Sequence, residues 1–270
     1  MAFMDLQFFS ASLARTVSVS IFIPCAEERL PKRLQAEDRF PVCYLLHGYA
    51  GDQHSWLRYT GIVDAAMKEG IALVCPAGEN LFYRNPYKSR TRMGSFVSHE
   101  LPHFVERLLP LGREKKYRAI AGLSMGGFGA LRVGLENPEN YLAIGAFSAP
   151  YYVSEDESPL EPATVPALRN AEQLFGPKEK WPETDLNHVR RMKTLLEDES
   201  MNRDELPALY LSCGERDAFY PDSQRFFHFA KELWPRCVTQ AGDFEHEWAY
   251  WDQEGRAFLS YFKSLSEDAK

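Results

Sequence analysis

A chain of 270 residues has room for one large α/β domain or two small ones, and a composition 45% hydrophobic and 13% aromatic supports a sizeable core, which excludes intrinsic disorder. The formal charge of −7, with Arg113-Glu114-Lys115-Lys116 as the one dense basic run, argues against nucleic acid or an anionic membrane surface as a partner. Five cysteines (Cys25, Cys43, Cys75, Cys213, Cys237), an odd number without a C-x-x-C pair and mostly in apolar runs, point to reduced, buried thiols and a cytoplasmic protein.

Asp5 and Gln7 interrupt the first apolar stretch, so neither a signal peptide nor a membrane span is expected. Residues 3–9 and 16–24 alternate apolar and polar, the pattern of a half-buried antiparallel pair at a sheet edge. A charged loop runs from Glu27 to Arg39, and Val42–Leu46 then reads as a strand buried on both faces, ending at His47-Gly48-Tyr49. A short helix is predicted over Gly61–Lys68, a buried strand over Ile71–Cys75, and a basic loop over Tyr83–Met93. Helical spacing covers Phe96–Leu109, strands follow at Tyr117–Ala121 and Tyr141–Phe147, and a helix between them runs out at Pro138.

Residues 151–206 break this rhythm. The segment is acidic and proline-rich, with a helix predicted over Asp185–Leu196, and reads as a cap-like insertion over the sheet edge rather than a second domain. Alternation resumes with a strand at Ala208–Cys213, a helix at Asp222–Leu233, a strand at Cys237–Gln240 and a helix at Trp248–Leu265. Strands alternating with helices predict one α/β domain over residues 1–270, with a mostly parallel central sheet, an antiparallel N-terminal edge and helices on both faces.

Gly122-Leu123-Ser124-Met125-Gly126 matches G-x-S-x-G between a predicted strand and a predicted helix. The pattern needs glycines because side chains would collide across so sharp a turn, and the turn lifts the Ser124 hydroxyl clear of the sheet as a nucleophile. Serine is a weak nucleophile at neutral pH and needs a base, itself oriented by an acid. His246 lies just past the last predicted strand and Asp217 just past the one before it. Glu215, Asp222 and Asp243 are rival acids; His228 is a rival base but falls in mid-helix. The oxyanion of a tetrahedral intermediate would be held by the backbone N–H groups of Met125 and Tyr49. His99-Glu100-Leu101-Pro102-His103 matches the helical zinc motif H-E-x-x-H, but Pro102 disturbs the helix that the pairing requires and no third ligand is evident. No metal and no cofactor are expected.

Leu45-Leu46-His47-Gly48…Ser55-Trp56, Gly122 to Gly127, Cys213-Gly214…Asp217 and His246-Glu247-Trp248…Trp251 together resemble the esterase D-like family of α/β-hydrolases, over nearly the whole chain. The nearest-looking branch is the tributyrin/acetyl esterase type, with feruloyl esterases and S-formylglutathione hydrolases as relatives. The resemblance implies the α/β-hydrolase fold, Ser124 as nucleophile, Asp217 as acid, His246 as base and oxyanion donors at Tyr49 and Met125. S-formylglutathione hydrolases usually carry histidine before the serine, where this chain has Leu123. Mycolyltransferases share the fold but are secreted. The expected activity is hydrolysis of short-chain acyl esters, small molecules, through an acyl-serine, with self-association into a homo-oligomer left open. Trp56, Trp248, Phe175 and Trp181 are candidate pocket walls, with ordinary core or lid packing as the equal alternative. Acyl transfer to another acceptor is the competing enzymatic reading. A non-catalytic binding module on the same fold is weakened because all three triad positions are filled.

Overall fold

Residues 1–25, 39–151 and 171–269 are described by the structure, a computed structural model. The expected loop before Arg39 and part of the expected insertion, 152–170, lie outside the described residues.

β1 (Ala2–Ser10) and β2 (Arg15–Ile23) form the predicted hairpin, with Leu6 opposite Val19. β1, the edge strand among the described residues, is half-buried in alternation from Ala2 to Phe9, one face toward the core and the other toward solvent. β2 is buried far more than its sequence pattern predicts, because β4 (Ala72–Pro76) pairs with it antiparallel on the inner side. The other strands are β3 (Val42–Leu46), β5 (Arg118–Leu123), β6 (Ala143–Phe147), β7 (Ala208–Gly214) and β8 (Cys237–Gly242). They complete an eight-stranded sheet of order β1-β2-β4-β3-β5-β6-β7-β8, parallel from β4 to β8. β3 to β7 are almost wholly apolar and buried on both faces, as a parallel sheet between two helical layers requires.

Alternate residues of each strand serve opposite layers. Tyr44, Leu46, Ile120 and Ile144 pack with Phe128 and Leu131 of the helix Met125–Glu136. Cys43, Leu45, Ala119 and Ala121 pack with Phe258, Leu259 and Phe262 of the helix Trp248–Asp268.

Helix bounds differ from expectation where a cap decides them. The helix predicted from Asp185 begins at His188, because the Asn187 side chain accepts the Arg190 N–H at 3.0 Å. Asp185 is instead drawn to Arg84 (2.7 Å) and Arg132 (3.0 Å). The helix predicted over Gly61–Lys68 runs Ile62–Glu69 and stops at Gly70, whose φ of 70° only glycine adopts without strain. The stretch Phe96–Leu109 is helical but not uniform: a π-type turn over Phe96–Glu100, with the Leu101 N–H on Phe96 O, runs directly into an α-helix over Leu101–Leu108, and Pro102, which has no N–H to donate, sits just past that turn. A short helix at Ser55–Tyr59 has no counterpart in the sequence reading; five residues are too few to show a period.

Candidate active site

β5 ends at Leu123 and the next helix starts at Met125, so Ser124 alone makes the turn. Its φ of 51° and ψ of −119° place a non-glycine residue in a conformation that costs about 1–3 kcal/mol and survives only where its surroundings over-determine it. They do so here. The Ser124 N–H donates to Phe147 O of β6 (2.8 Å), and Ser124 O accepts from the Phe128 N–H (3.0 Å). A Cβ added at Gly126 would overlap the Leu46 carbonyl, and one at Gly122 would overlap the Gly126 carbonyl. The helix thus lies against the ends of β3 and β5 at a separation that only glycine permits.

The acid and the base come from adjacent strands whose loops are laced together. The Glu215 N–H donates to Gly242 O (2.7 Å) and the Arg216 N–H to Phe244 O (3.0 Å). In this corner Asp217 is buried, and its Oδ1 accepts the Phe219 N–H at 2.9 Å. Its Oδ2 lies 2.7 Å from His246 Nδ1. The opposite nitrogen, Nε2, lies 3.0 Å from Ser124 Oγ. Asp217 is therefore both a local cap and the partner of the imidazole. A carboxylate against Nδ1 fixes the ring as the tautomer with a free Nε2 lone pair, able to take a hydroxyl proton.

The rivals are engaged elsewhere. Glu215 is exposed, Asp222 pairs with Arg225, Asp243 with Arg216 (3.0 Å), and His228 points outward to Glu232 (3.1 Å). Glu100 of the H-E-x-x-H stretch accepts from Ser10 Oγ (2.7 Å) and from the N–H groups of Ala11 (2.7 Å) and Ser12 (3.0 Å), fastening the β1–β2 turn. Burial alone would raise its pKa; those hydrogen bonds outweigh it and hold the carboxylate below its usual range.

Gly48 lies beside the serine, since a Cβ added there would be 3.6 Å from Ser124 Cβ. Among the described residues, neither the Tyr49 nor the Met125 amide hydrogen has a protein acceptor. Trp248 is half-buried at the mouth of this region and packs on Trp251 (5.2 Å), whose ring meets His246 at 4.8 Å. Trp56 is buried with its indole N–H on Leu46 O (3.0 Å). Phe175 and Trp181 are buried against each other at 5.4 Å, and Phe175 meets Phe82 at 5.2 Å. Phe175 and Trp181 thus pack within the core, while Trp56, also buried, meets the Trp248 ring at 5.9 Å.

The sequence reasoning passed over His47 as part of a strand-ending turn. Its ring is buried and bonded at both nitrogens, to Gly78 N–H (2.8 Å) and Gly48 O (2.7 Å). It also missed the Arg84–Asp185–Arg132 cluster that ties the insertion to the serine helix. His47 belongs to the Leu45–Gly48 motif, but nothing local shows what its ring bonds to, and no local pattern marks the arginine–aspartate cluster.

The sheet order, the strained serine between close-packed glycines, and an imidazole bridging hydroxyl and carboxylate define a serine hydrolase of the α/β-hydrolase fold. The family described as putative esterases matches residues 11–254, and the chain belongs to it, within the esterase D-like group. It is a serine carboxylesterase. An acetyl esterase of Caldicellulosiruptor saccharolyticus is 28% identical over 267 residues, covering 94% of this chain and 95% of that protein. Among solved structures, the fluorophosphonate-binding serine hydrolase F (FphF) of Staphylococcus aureus is similar with a TM-score of 0.83 at 20% identity, covering 97% of this chain and 98% of that one. The S-formylglutathione hydrolase FrmB of Staphylococcus aureus has a TM-score of 0.78 at 20% identity, with 97% and 98% covered. No helix among the described residues is long and apolar enough to cross a membrane.

Proposed function

We propose that Ser124 attacks the carbonyl of a short-chain acyl ester, with His246 taking the hydroxyl proton and delivering it to the leaving alcohol. Water, activated by the same ring, then cleaves the acyl-serine. Asp217 holds the imidazole in its productive tautomer and stabilises its cationic form, and the Tyr49 and Met125 N–H groups hold both oxyanions. The observation that carries this reading is the His246 ring, 2.7 Å from Asp217 on one side and 3.0 Å from Ser124 on the other. The short-chain preference is supported by the relative named acetyl esterase. Trp248 is the proposed pocket wall, in a single domain over residues 1–270. A cytoplasmic location agrees with the burial of Cys43, Cys75 and Cys213 as free thiols.

The test is a panel of p-nitrophenyl esters from acetate to palmitate, beside a fluorophosphonate label and the Ser124→Ala variant. Turnover greatest between acetate and butyrate, with label and activity both lost in Ser124→Ala, is the expected result. Fastest turnover on long acyl chains refutes the acyl-length reading. A folded protein that Ser124 does not allow to be labelled refutes the triad. Adding an alcohol or thiol acceptor separates hydrolysis from acyl transfer by the product formed.

A further inference from the structure

We propose that His47 is a positioning residue for the oxyanion loop: as a neutral imidazole carrying its hydrogen on Nδ1, it holds the Gly48 carbonyl away from Ser124 and so turns the Tyr49 N–H toward it. This rests on the reading of Tyr49 as an oxyanion donor given above.

The backbone sets the tautomer. The Gly78 N–H can only donate, so the nitrogen it meets, Nε2 at 2.8 Å, bears no hydrogen. Nδ1 then carries it and donates to Gly48 O at 2.7 Å. Burial disfavours a second proton on the ring more than the Gly48 carbonyl and Asp52 favour it. The same carbonyl accepts a second bond, from the Gly51 N–H at 3.1 Å. A Cβ at Gly51 would lie 3.0 Å from His47 Nδ1 and 3.1 Å from Gly48 O, so a side chain there would crowd this corner.

Two donors on one carbonyl fix the whole peptide unit. Across a trans peptide the C=O and the next N–H point in opposite directions, and no cis bond occurs among the described residues. Committing Gly48 O to the ring therefore commits the Tyr49 N–H to the opposite face of the peptide, and Ser124 is close by, since a Cβ added at Gly48 would be 3.6 Å from Ser124 Cβ. A flipped peptide would present a carbonyl oxygen to the developing oxyanion and turn an attraction into a repulsion. The segment after β4 braces the arrangement from behind: Tyr83 Oη donates to His47 O (3.0 Å), and Asn80 Oδ1 accepts the Ala50 N–H (2.8 Å). In this account the imidazole does no proton transfer; it acts through the backbone.

Two measurements decide it. Nitrogen-15 NMR of the wild-type protein is expected to show His47 protonated on Nδ1 and bare on Nε2; the opposite tautomer overturns the proposal. In kinetics, His47→Ala is expected to lower kcat by about 100-fold, the low end for losing one oxyanion donor, with KM changed less than about threefold. His47→Asn, whose side-chain amide N–H₂ can occupy the Nδ1 position, is expected to recover at least about tenfold of that loss. A His47→Ala variant within about threefold of wild-type kcat, or His47→Asn no better than His47→Ala, overturns it. If His47→Ala does not fold, the tautomer measurement and a folded His47→Asn with near wild-type KM still decide. A wild-type enzyme that neither hydrolyses esters nor labels at Ser124 would sink the catalytic reading instead, while the NMR result would stand by itself.

Discussion

His188 offers a test of the structure that is independent of catalysis. It opens the helix His188–Glu197, and its ring lies 1% exposed, edge-on to Phe128 at 4.6 Å. Neither ring nitrogen has a partner in good hydrogen-bond geometry among the described residues, although the Phe128 carbonyl is close enough to favour the protonated ring. Burial lowers its pKa from 6.5 to about 3, a shift that the Phe128 carbonyl and the Asp185 carboxylate oppose only in part and that Arg132 reinforces. Above pH 6.5 the ring is neutral in both folded and unfolded chains and adds no pH-linked cost. As the pH falls from 6.5 toward 3, the unfolded chain binds a proton that the folded chain refuses. Stability therefore drops by about 1.36 kcal/mol for each unit in that window. At pH 5 the loss from this one residue is about 2 kcal/mol.

His188→Leu removes the titrating group and also the unpaired buried nitrogens, while keeping most of the side-chain volume. At pH 8 the variant is expected to be at least as stable as wild type, since burying an unpartnered polar group costs about 1–3 kcal/mol. At pH 5 its advantage is expected to grow by about 2 kcal/mol, or roughly 4 °C in Tm for a chain of this size. Calorimetry of both proteins at both pH values measures it, and groups that titrate alike in the two cancel in the difference. An equal Tm difference at pH 5 and pH 8 would refute the shifted pKa. A variant less stable at pH 8 by more than about 1 kcal/mol would show that the ring has a partner after all.

Three other substitutions probe the site and its support. Asp217→Asn keeps an oxygen for the Phe219 N–H but favours the wrong imidazole tautomer, so kcat is expected to fall by about 10⁴-fold with the fold intact; a loss under about tenfold would count against the carboxylate's role. Glu106, 3% exposed, accepts from Arg118 Nε (2.7 Å) and Tyr44 Oη (2.8 Å), and Glu106→Gln leaves Arg118 without a full counter-charge. The expected cost in urea unfolding is about 3 kcal/mol, and a change below about 1 kcal/mol would place this pair outside the fold's essential supports. Gly126→Ala puts a methyl group into the Leu46 carbonyl, so a loss of about 2 kcal/mol or more and loss of label at Ser124 are expected; a fully active, equally stable variant would mean the helix can move away freely.

The parts of the molecule legible in sequence are those governed by local rules. Val42–Leu46 and Ala208–Cys213 read as buried strands because a parallel sheet imposes apolar residues on both faces, and Ser124 reads as the turn because only glycines fit around it. Asp217 and His246 stand out by position, each just beyond a strand. What stayed hidden depends on partners distant in the chain. His47 looks like the end of a strand until Gly78, 31 residues on, is seen to cap its ring. Asp185 looks like a helix start until Arg84 and Arg132 claim its carboxylate. Trp56 and Trp181 read equally well as pocket walls or as core, because an aromatic ring carries no sign of which face it will meet; in the structure both are buried, with their indole hydrogens bonded to Leu46 O and Gly176 O.

The strand order also explains why the site needs an imidazole at all. Ser124 follows β5 and Asp217 follows β7, with β6 between them. Neighbouring strands are about 4.8 Å apart, so the hydroxyl and the carboxylate start from backbones separated by about 10 Å, too far for a direct hydrogen bond. A ring with nitrogens on opposite sides, bonded at 2.7 Å to one group and 3.0 Å to the other, closes that gap. It has to come from β8, the next strand beyond the acid, whose loop is laced to the loop of β7 and so carries the ring across the strand ends. The separation thus sets the division of labour: the carboxylate cannot touch the hydroxyl, and it acts by orienting the ring through Nδ1 and stabilising the imidazolium formed when Nε2 takes the Ser124 proton.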